Sequence, residues 1–311
     1  MQKVIRLATF LSIITLQLAM PALAKEPLRV VASFSVIADF ARNVGGDRID
    51  LTTLVGPGGD AHVYEPKPAD AAAMAKAEVV LVNGLHFEGF LKRLVDASGT
   101  RGTVVELAKG VETIGMEEEH TEEAAEGHDH DHPHGDIDPH AFQSIANAKI
   151  YVGNIADAFC VADAAGCGSY KANANAYIRK LDGVEMEVKA GIDSIPPGKR
   201  VVITSHDAFG YFEHAYGITF LAPQGISTEA EASAADVAKL VGQVKSEKAS
   251  AVFVENITNP RLIEQIASET GLKVGGTLYS DALSAPDGPA STYIDMMRHN
   301  VRTLRGAILG E

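Results

Sequence analysis

Histidine and aspartate side chains at a few positions of this chain could bind a metal ion. Six histidines fall within residues 120–140, where they alternate with acidic residues. Three further candidates, His62, His206 and Asp281, are isolated from this cluster and from one another. Imidazole nitrogens and carboxylate oxygens are common ligands of zinc and similar divalent ions. The sequence therefore poses a choice between one dense site and a site assembled from distant residues.

Each isolated candidate follows a predicted strand or ends a loop. His62 lies in GPGGDAHVYEP after the strand LTTLV, His206 directly follows VVITS, and Asp281 follows GGTLYS. His140 ends the dense segment, behind Pro139 and ahead of a predicted helix. Ligands of open α/β sheets bind beyond the carboxyl ends of the strands, which favours a joint site. Taken singly, each histidine could be a surface residue, and Asp281 could be only a helix cap or turn residue.

The elements that must position these residues form two similar runs. Short Val- and Leu-rich segments alternate with amphipathic helical patterns over residues 28–108, and the same order restarts after residue 198. This alternation predicts parallel sheets covered on both faces. Between the runs, residues 170–195 have helical composition and predict a helix about 40 Å long. The predicted fold is α/β, with two lobes joined by one long helix and a cleft between them.

The first 24 residues predict export. Lys3 and Arg6 precede an apolar stretch, and Ala22-Leu23-Ala24 is typical of a signal-peptidase site. A membrane anchor is the alternative, but the apolar stretch is shorter than a spanning helix requires. Cleavage would change the formal net charge from −14 to −16, which argues against nucleic-acid binding. We expect an exported protein in a bacterial periplasm.

The two cysteines, Cys160 and Cys167, are close in sequence. An oxidising compartment favours a local disulfide between them. A zinc site is disfavoured because the spacing is longer than the usual short cysteine pair and no histidine flanks it.

Six motifs carry a resemblance to a known family. They are VVASFSVIADFARNVGG, GPGGDAHVYEPKPAD, NGLHFEGF, DPHAF, TSHDAFGYFEHAYGI and VENITNPRLIEQIASETG. In this order they resemble the periplasmic zinc/manganese solute-binding proteins of ATP-driven metal importers, the ZnuA-like, cluster A-I group. The resemblance implies two Rossmann-like lobes joined by a rigid helix, and an ABC permease in the inner membrane as partner. It implies that the metal lies between the lobes, bound by His62, His140, His206 and Asp281.

Domain limits follow from the pattern and the resemblance together. We expect a signal peptide at 1–24, an N-terminal lobe at 25–145 and a C-terminal lobe at 198–311. The connecting segment, 146–197, would contain the long helix at about 170–195. The protein is expected to be a monomer. His86 and His214 fall outside the implied ligand set and are expected to be ordinary polar or helix-packing residues.

The ligand set indicates which ion is bound. Three imidazoles and one carboxylate suit tetrahedral Zn²⁺, whereas Mn²⁺ prefers more oxygen donors and is the less favoured alternative. Manganese-preferring members of the family tend to carry Glu where this chain has His206. A zinc hydrolase is the other alternative, but Asp281 would fill the position that a catalytic water needs. We expect no enzyme, and Glu65 and Asp207 are candidates to orient the imidazoles.

The acidic, histidine-rich loop is expected at residues 117–138. It has ten acidic residues, no Lys or Arg and few apolar side chains, so we expect disorder without metal. The functional hypothesis is an accessory zinc collector that could also accept zinc from a periplasmic chaperone. The alternative is a solvated acidic tether. The candidate accessory ligands are His120, His128, His130, His132 and His134.

Overall fold

The computed structural model describes residues 26–115 and 137–311. The first lobe has a four-stranded parallel sheet in the order β2-β1-β3-β4. The near-continuous apolar runs explain it, since every residue of β3 is buried. Its elements are β1 Leu28–Phe34, α1 Ser35–Gly45, β2 Ile49–Val55, α2 Pro68–Lys76, β3 Val79–Val82, α3 Leu91–Ser98 and β4 Thr103–Glu106.

The second lobe repeats this topology. Its sheet is also four-stranded and parallel, in the order β6-β5-β7-β8. In both lobes the first strand of the run pairs with the second and third, so the chain reverses direction across the sheet at the same place. The elements are β5 Val201–Ile203, α6 Gly210–Tyr216, β6 Thr219–Leu221, α7 Ala234–Glu247, β7 Ala251–Glu255, α8 Arg261–Thr270, β8 Val274–Leu278 and α9 Tyr293–Leu309.

Two helices connect the lobes. Helix α4, Ile145–Ala162, packs against α1 and β3, and helix α5, Cys167–Asp193, packs against α1, α4 and α9. The 27 residues of α5 span about 40 Å, so it contacts both lobes. Sequence patterns predicted this helix at about 170–195, and the observed helix begins three residues earlier, at Cys167. The α/β fold with two parallel-sheet lobes and a long connecting helix is confirmed.

A cluster of aromatic rings joins the long helix to both lobes. Phe40 of α1 is fully buried, with its ring centroid 6.3 Å from that of Tyr177 in α5 and 4.8 Å from that of Tyr293 in α9. Tyr151 of α4 packs against the same ring at 6.3 Å. The lobes and the connecting helices therefore share one apolar core, which limits their independent movement.

The two cysteines meet where α4 leads into α5. The sulfur atoms of Cys160 and Cys167 lie within disulfide-bonding distance there. The predicted signal peptide and most of the histidine-rich loop lie outside the described residues. Over residues 26–115 and 137–311, no helix combines the length and the apolar character needed to cross a membrane.

Candidate metal centre

Four metal-capable side chains meet between the lobes. His62, His140, His206 and Asp281 are all buried, and one ligand atom of each lies within 4.8 Å of the others. Nε2 of His62 lies 3.3 Å from Nε2 of His140 and 3.3 Å from Oδ2 of Asp281. Nε2 of His206 lies 3.0 Å from the same Oδ2. Four donors that are distant in sequence thus converge on one point and could hold a single cation.

Loops after the strands supply these side chains. His62 lies in the loop after β2, His206 after β5 and Asp281 after β8, as the strand-end argument predicted. His140 precedes a short 3₁₀ turn, Ala141–Gln143, that leads into α4. Each lobe therefore contributes two donors, so an ion bound here would link the lobes.

Buried carboxylates hold the outer nitrogens of two imidazoles. Nδ1 of His140 lies 2.8 Å from Oδ1 of Asp138, which also accepts a hydrogen bond from the His140 backbone N–H. Nδ1 of His206 lies 2.7 Å from Oε2 of Glu255. A proton on each Nδ1 leaves the Nε2 lone pair free to face the cluster, as in carboxylate–histidine–metal arrangements.

The two carboxylates proposed from the sequence to orient the imidazoles differ in position. Glu65 is exposed, whereas Asp207 is half-buried and its carboxyl group interacts electrostatically with the imidazoles of His140 and His206. Asp138, counted from the sequence as part of the solvated loop, is instead buried and belongs to the site. Glu255 was missed altogether. Its signal was an acidic residue at the end of the apolar strand AVFVE, and its Oε1 also accepts hydrogen bonds from two backbone N–H groups.

The site carboxylates shift the pKa values of the imidazoles. Burial lowers the pKa of His140, but the carboxylates of Asp281 and Asp138 outweigh burial and raise that pKa to about 9. In the same way, Glu255 and Asp281 outweigh burial and hold the pKa of His206 well above its usual range. Burial raises the pKa of Asp281, whereas the two imidazoles hold it well below its usual value. In the metal-free site, the imidazoles of His140 and His206 therefore tend to hold protons that a bound cation would displace.

The surroundings of the four donors exclude water on one side. The Phe87 ring is fully buried and packs 4.6 Å from the His62 ring and 5.5 Å from the His140 ring. Oδ1 of Asp281 is buried and lies 3.6 Å from Nε2 of His140, but it has no hydrogen-bond partner among the described residues. A buried carboxylate oxygen without a hydrogen bond is costly unless a cation binds it, so the donor set fits a metal ion.

Direct contacts between the lobes flank the site. Asp60 accepts a hydrogen bond from the His62 backbone N–H at 2.9 Å through Oδ1, and one from the Thr228 hydroxyl at 2.6 Å through Oδ2. On the other side, Nε2 of Gln143 donates to the backbone oxygen of Ser280 at 2.6 Å. These hydrogen bonds join the two lobes on either side of the four donors.

His86 and His214, which the sequence placed outside the ligand set, lie apart from this cluster. His214 is exposed on α6, and His86 is exposed at the rim of a cavity that reaches His62. His120, His128, His130, His132 and His134 lie outside the described residues. Gly115 and Ile137 are the described residues on either side of that segment. They form an antiparallel β-bridge, so the two ends of the described chain lie next to each other.

Comparison with known proteins identifies the family. A sequence model described as "Zinc-uptake complex component A periplasmic", ZnuA, matches residues 30–307. The chain is 33% identical to the manganese-binding lipoprotein MntA of Halalkalibacterium halodurans over 278 residues, covering 89% of this chain and 87% of that protein. It is 31% identical to the iron ABC transporter substrate-binding lipoprotein MtsA of Streptococcus pyogenes, covering 89% and 87%.

Solved structures show the same architecture. A manganese-bound variant of a periplasmic metal binding protein from Candidatus Liberibacter asiaticus is 31% identical, with a TM-score of 0.79 over 90% of this chain and 98% of that one. The periplasmic zinc binding protein TroA of Treponema pallidum is 28% identical, with a TM-score of 0.81 over 91% and 99%. The chain therefore belongs to the ZnuA family and is a metal-binding, substrate-binding protein of an ABC transporter.

Proposed function

We propose that this protein captures Zn²⁺ in the periplasm and delivers it to an ABC-type permease in the inner membrane. The observation that carries the proposal is the convergence of three imidazole nitrogens and one carboxylate at a buried point between two lobes. The lobes at 25–145 and 198–311, joined by 146–197, would close on the ion as a monomer. The relatives are substrate-binding proteins rather than enzymes, and membership of this family implies a permease partner.

Donor chemistry favours zinc, and the donor spacing is compatible with it. Zn–N bonds of about 2.0–2.1 Å place neighbouring ligands of a tetrahedral ion about 3.3 Å apart. The distances from His62 Nε2 to His140 Nε2 and to Asp281 Oδ2 are both 3.3 Å. Manganese, named for relatives such as MntA, prefers more oxygen donors than this site offers, and it is the second candidate.

A competition experiment tests the choice of ion. The mature chain is stripped of metal, dialysed against Zn²⁺, Mn²⁺ and Fe²⁺, each equimolar with protein, and analysed by elemental mass spectrometry. We expect about one zinc ion per chain and little of the other two metals. Retention of manganese in preference to zinc would refute the assignment.

The histidine-rich segment is proposed as an accessory zinc collector, and as a surface on which a zinc chaperone could load the protein. Support comes from where its neighbours lie. Ile137, near the end of the segment, and Pro139, directly after it, line the cavity that reaches His62. Ions collected by the segment would therefore be released close to the metal centre.

Removing the Glu255 carboxylate should weaken zinc binding without removing a ligand. We expect Glu255→Gln to lower the affinity about 10- to 100-fold, because the His206 imidazole loses the carboxylate that orients it. Chelator competition measures the change. Glu65→Gln, at an exposed position, is the matched control and should leave the affinity unchanged. Equal affinities for the two variants would contradict the orienting role.

Zinc binding should release protons. The pKa of His140 is raised to about 9 and that of His206 is raised well above its usual value, so the metal-free site holds protons that a bound ion would displace. We expect at least one proton to be released per ion. Calorimetry in buffers of different ionisation enthalpy counts the released protons, and heats independent of the buffer would contradict the expectation.

The same pKa shifts predict opposite effects of pH on the two forms. The raised pKa of His140 stabilises the metal-free fold fully below its unfolded value near 6.5, and this contribution is lost as pH rises through about 9. Zinc affinity should instead rise over that range, as fewer protons compete.

A further inference from the structure

A cavity of about 530 Å³ lies between the lobes beside the metal centre. Its lining includes buried His62, which is one of the four metal-capable residues, and exposed His86. Glu229 lines it from the second lobe. We propose that His86 and Glu229 form a transient binding site through which a divalent cation passes to and from the metal centre. This inference rests on the proposed function and adds to it the route of the ion.

The backbone that presents His86 is unusual. Gly84, Leu85 and His86 have φ angles of 86°, 52° and 61°, so three consecutive residues lie in the left-handed region. Only glycine adopts this region readily, and a leucine there is uncommon. Such conformations persist where the surrounding structure imposes them, and they cluster at ligand-binding sites.

The next two residues impose this conformation. The Phe87 ring is fixed in the core against His62, and the Glu88 carboxylate is buried. Oε1 of Glu88 accepts hydrogen bonds from the Ser33 hydroxyl at 2.6 Å and from the Asn83 backbone N–H at 2.7 Å. Because residues 87 and 88 are held inward, the residue before them is directed to the cavity rim.

Glu229 reaches across the cleft to the same turn. A Cβ atom added at Gly89 would lie 3.2 Å from Oε1 of Glu229 and 3.2 Å from the backbone oxygen of His62. The carboxylate of the second lobe therefore sits against the first lobe, a few ångströms from the backbone of a metal-centre residue. Because Gly89 has no side chain, the Glu229 carboxylate has room at this position.

The chemistry of the pair suits a passing cation. An imidazole and a carboxylate are ligands for zinc and related divalent ions, but two donors bind more weakly than the four of the buried centre. A negative charge in a cleft also raises the local cation concentration and the association rate. The pair would thus hold an ion briefly and pass it to His62.

Stopped-flow kinetics with Zn²⁺ alone tests the proposal. The variants are His86→Asn, since Asn tolerates the left-handed backbone, and Glu229→Gln. We expect each to slow zinc association and dissociation by about tenfold, while the dissociation constant stays unchanged. If the ion passes this site both on entering and on leaving, losing the site slows association and dissociation equally, and the dissociation constant does not change.

The controls are His214→Asn and Glu231→Gln. His214 is exposed on α6, and Glu231 lines a separate cavity two residues beyond Glu229. Both should keep wild-type rates. Wild-type rates in the His86 and Glu229 variants would overturn the proposal, as would a weaker equilibrium affinity caused by faster dissociation alone. Failure of the wild-type protein to bind zinc would instead overturn the proposed function.

Discussion

Replacing Asp281 by alanine is expected to weaken zinc binding by about a hundredfold or more, because one of four donors to a tightly bound ion is lost. Asp281 is the only carboxylate in the donor set, and its buried oxygens face the imidazole nitrogens of both lobes. Competition with a chelator of known affinity measures the loss. Asp287→Ala, an exposed residue in the same loop, is the matched control and should bind as the wild type does.

The same variant separates a carrier from a zinc hydrolase. In a carrier, four protein donors close the coordination of the ion, so losing Asp281 lowers affinity. A hydrolase needs an open position for water. Unchanged affinity in Asp281→Ala, together with new ester hydrolysis, would contradict a carrier role for the site.

The largest effect on stability is expected from Phe40→Ala. This fully buried ring packs against Tyr151, Tyr177 and Tyr293, which belong to the two connecting helices and to the second lobe. We expect the free energy of unfolding of the metal-free protein to fall by about 4 kcal/mol in urea denaturation, as for other large-to-small changes in cores.

A surface substitution provides the control for this stability experiment. Val161 is 85% exposed on α4, and Val161→Ala should change the free energy of unfolding by less than about 0.5 kcal/mol. A comparably small loss for Phe40→Ala would contradict a shared core between the lobes and the long helix.

The order of strands and helices could be predicted because the inner strands of both sheets, β1, β3 and β7 among them, are buried on both faces. A run such as VVLV in β3 has no polar position, which is the pattern of an inner parallel strand. Helix α4 was not separated from the connecting segment. Its apolar residues are spread around the helix rather than along one face, so the sequence carried little periodic signal.

The four metal-capable residues could be predicted from the sequence, whereas the carboxylates that contact them could not. Strand ends indicated where His62, His206 and Asp281 would lie, and the family resemblance selected them together with His140. The orienting carboxylates were not predictable in this way, because their contacts depend on side-chain rotamers and on the register between neighbouring loops. The close spacing of Asp138 and His140 was visible in the sequence, whereas the contact of Glu255 with His206 joins residues far apart in the chain.

Isothermal titration of two chains with Zn²⁺ tests the four-residue zinc site most sharply. One chain comprises residues 25–311. The other also lacks residues 117–136 but keeps Gly115 and Ile137, which pair in the structure, and Asp138, which contacts His140. We predict one tight zinc site in both chains, with additional weak sites only in the longer one. Loss of the tight site in the shortened chain would contradict the assignment of zinc to His62, His140, His206 and Asp281.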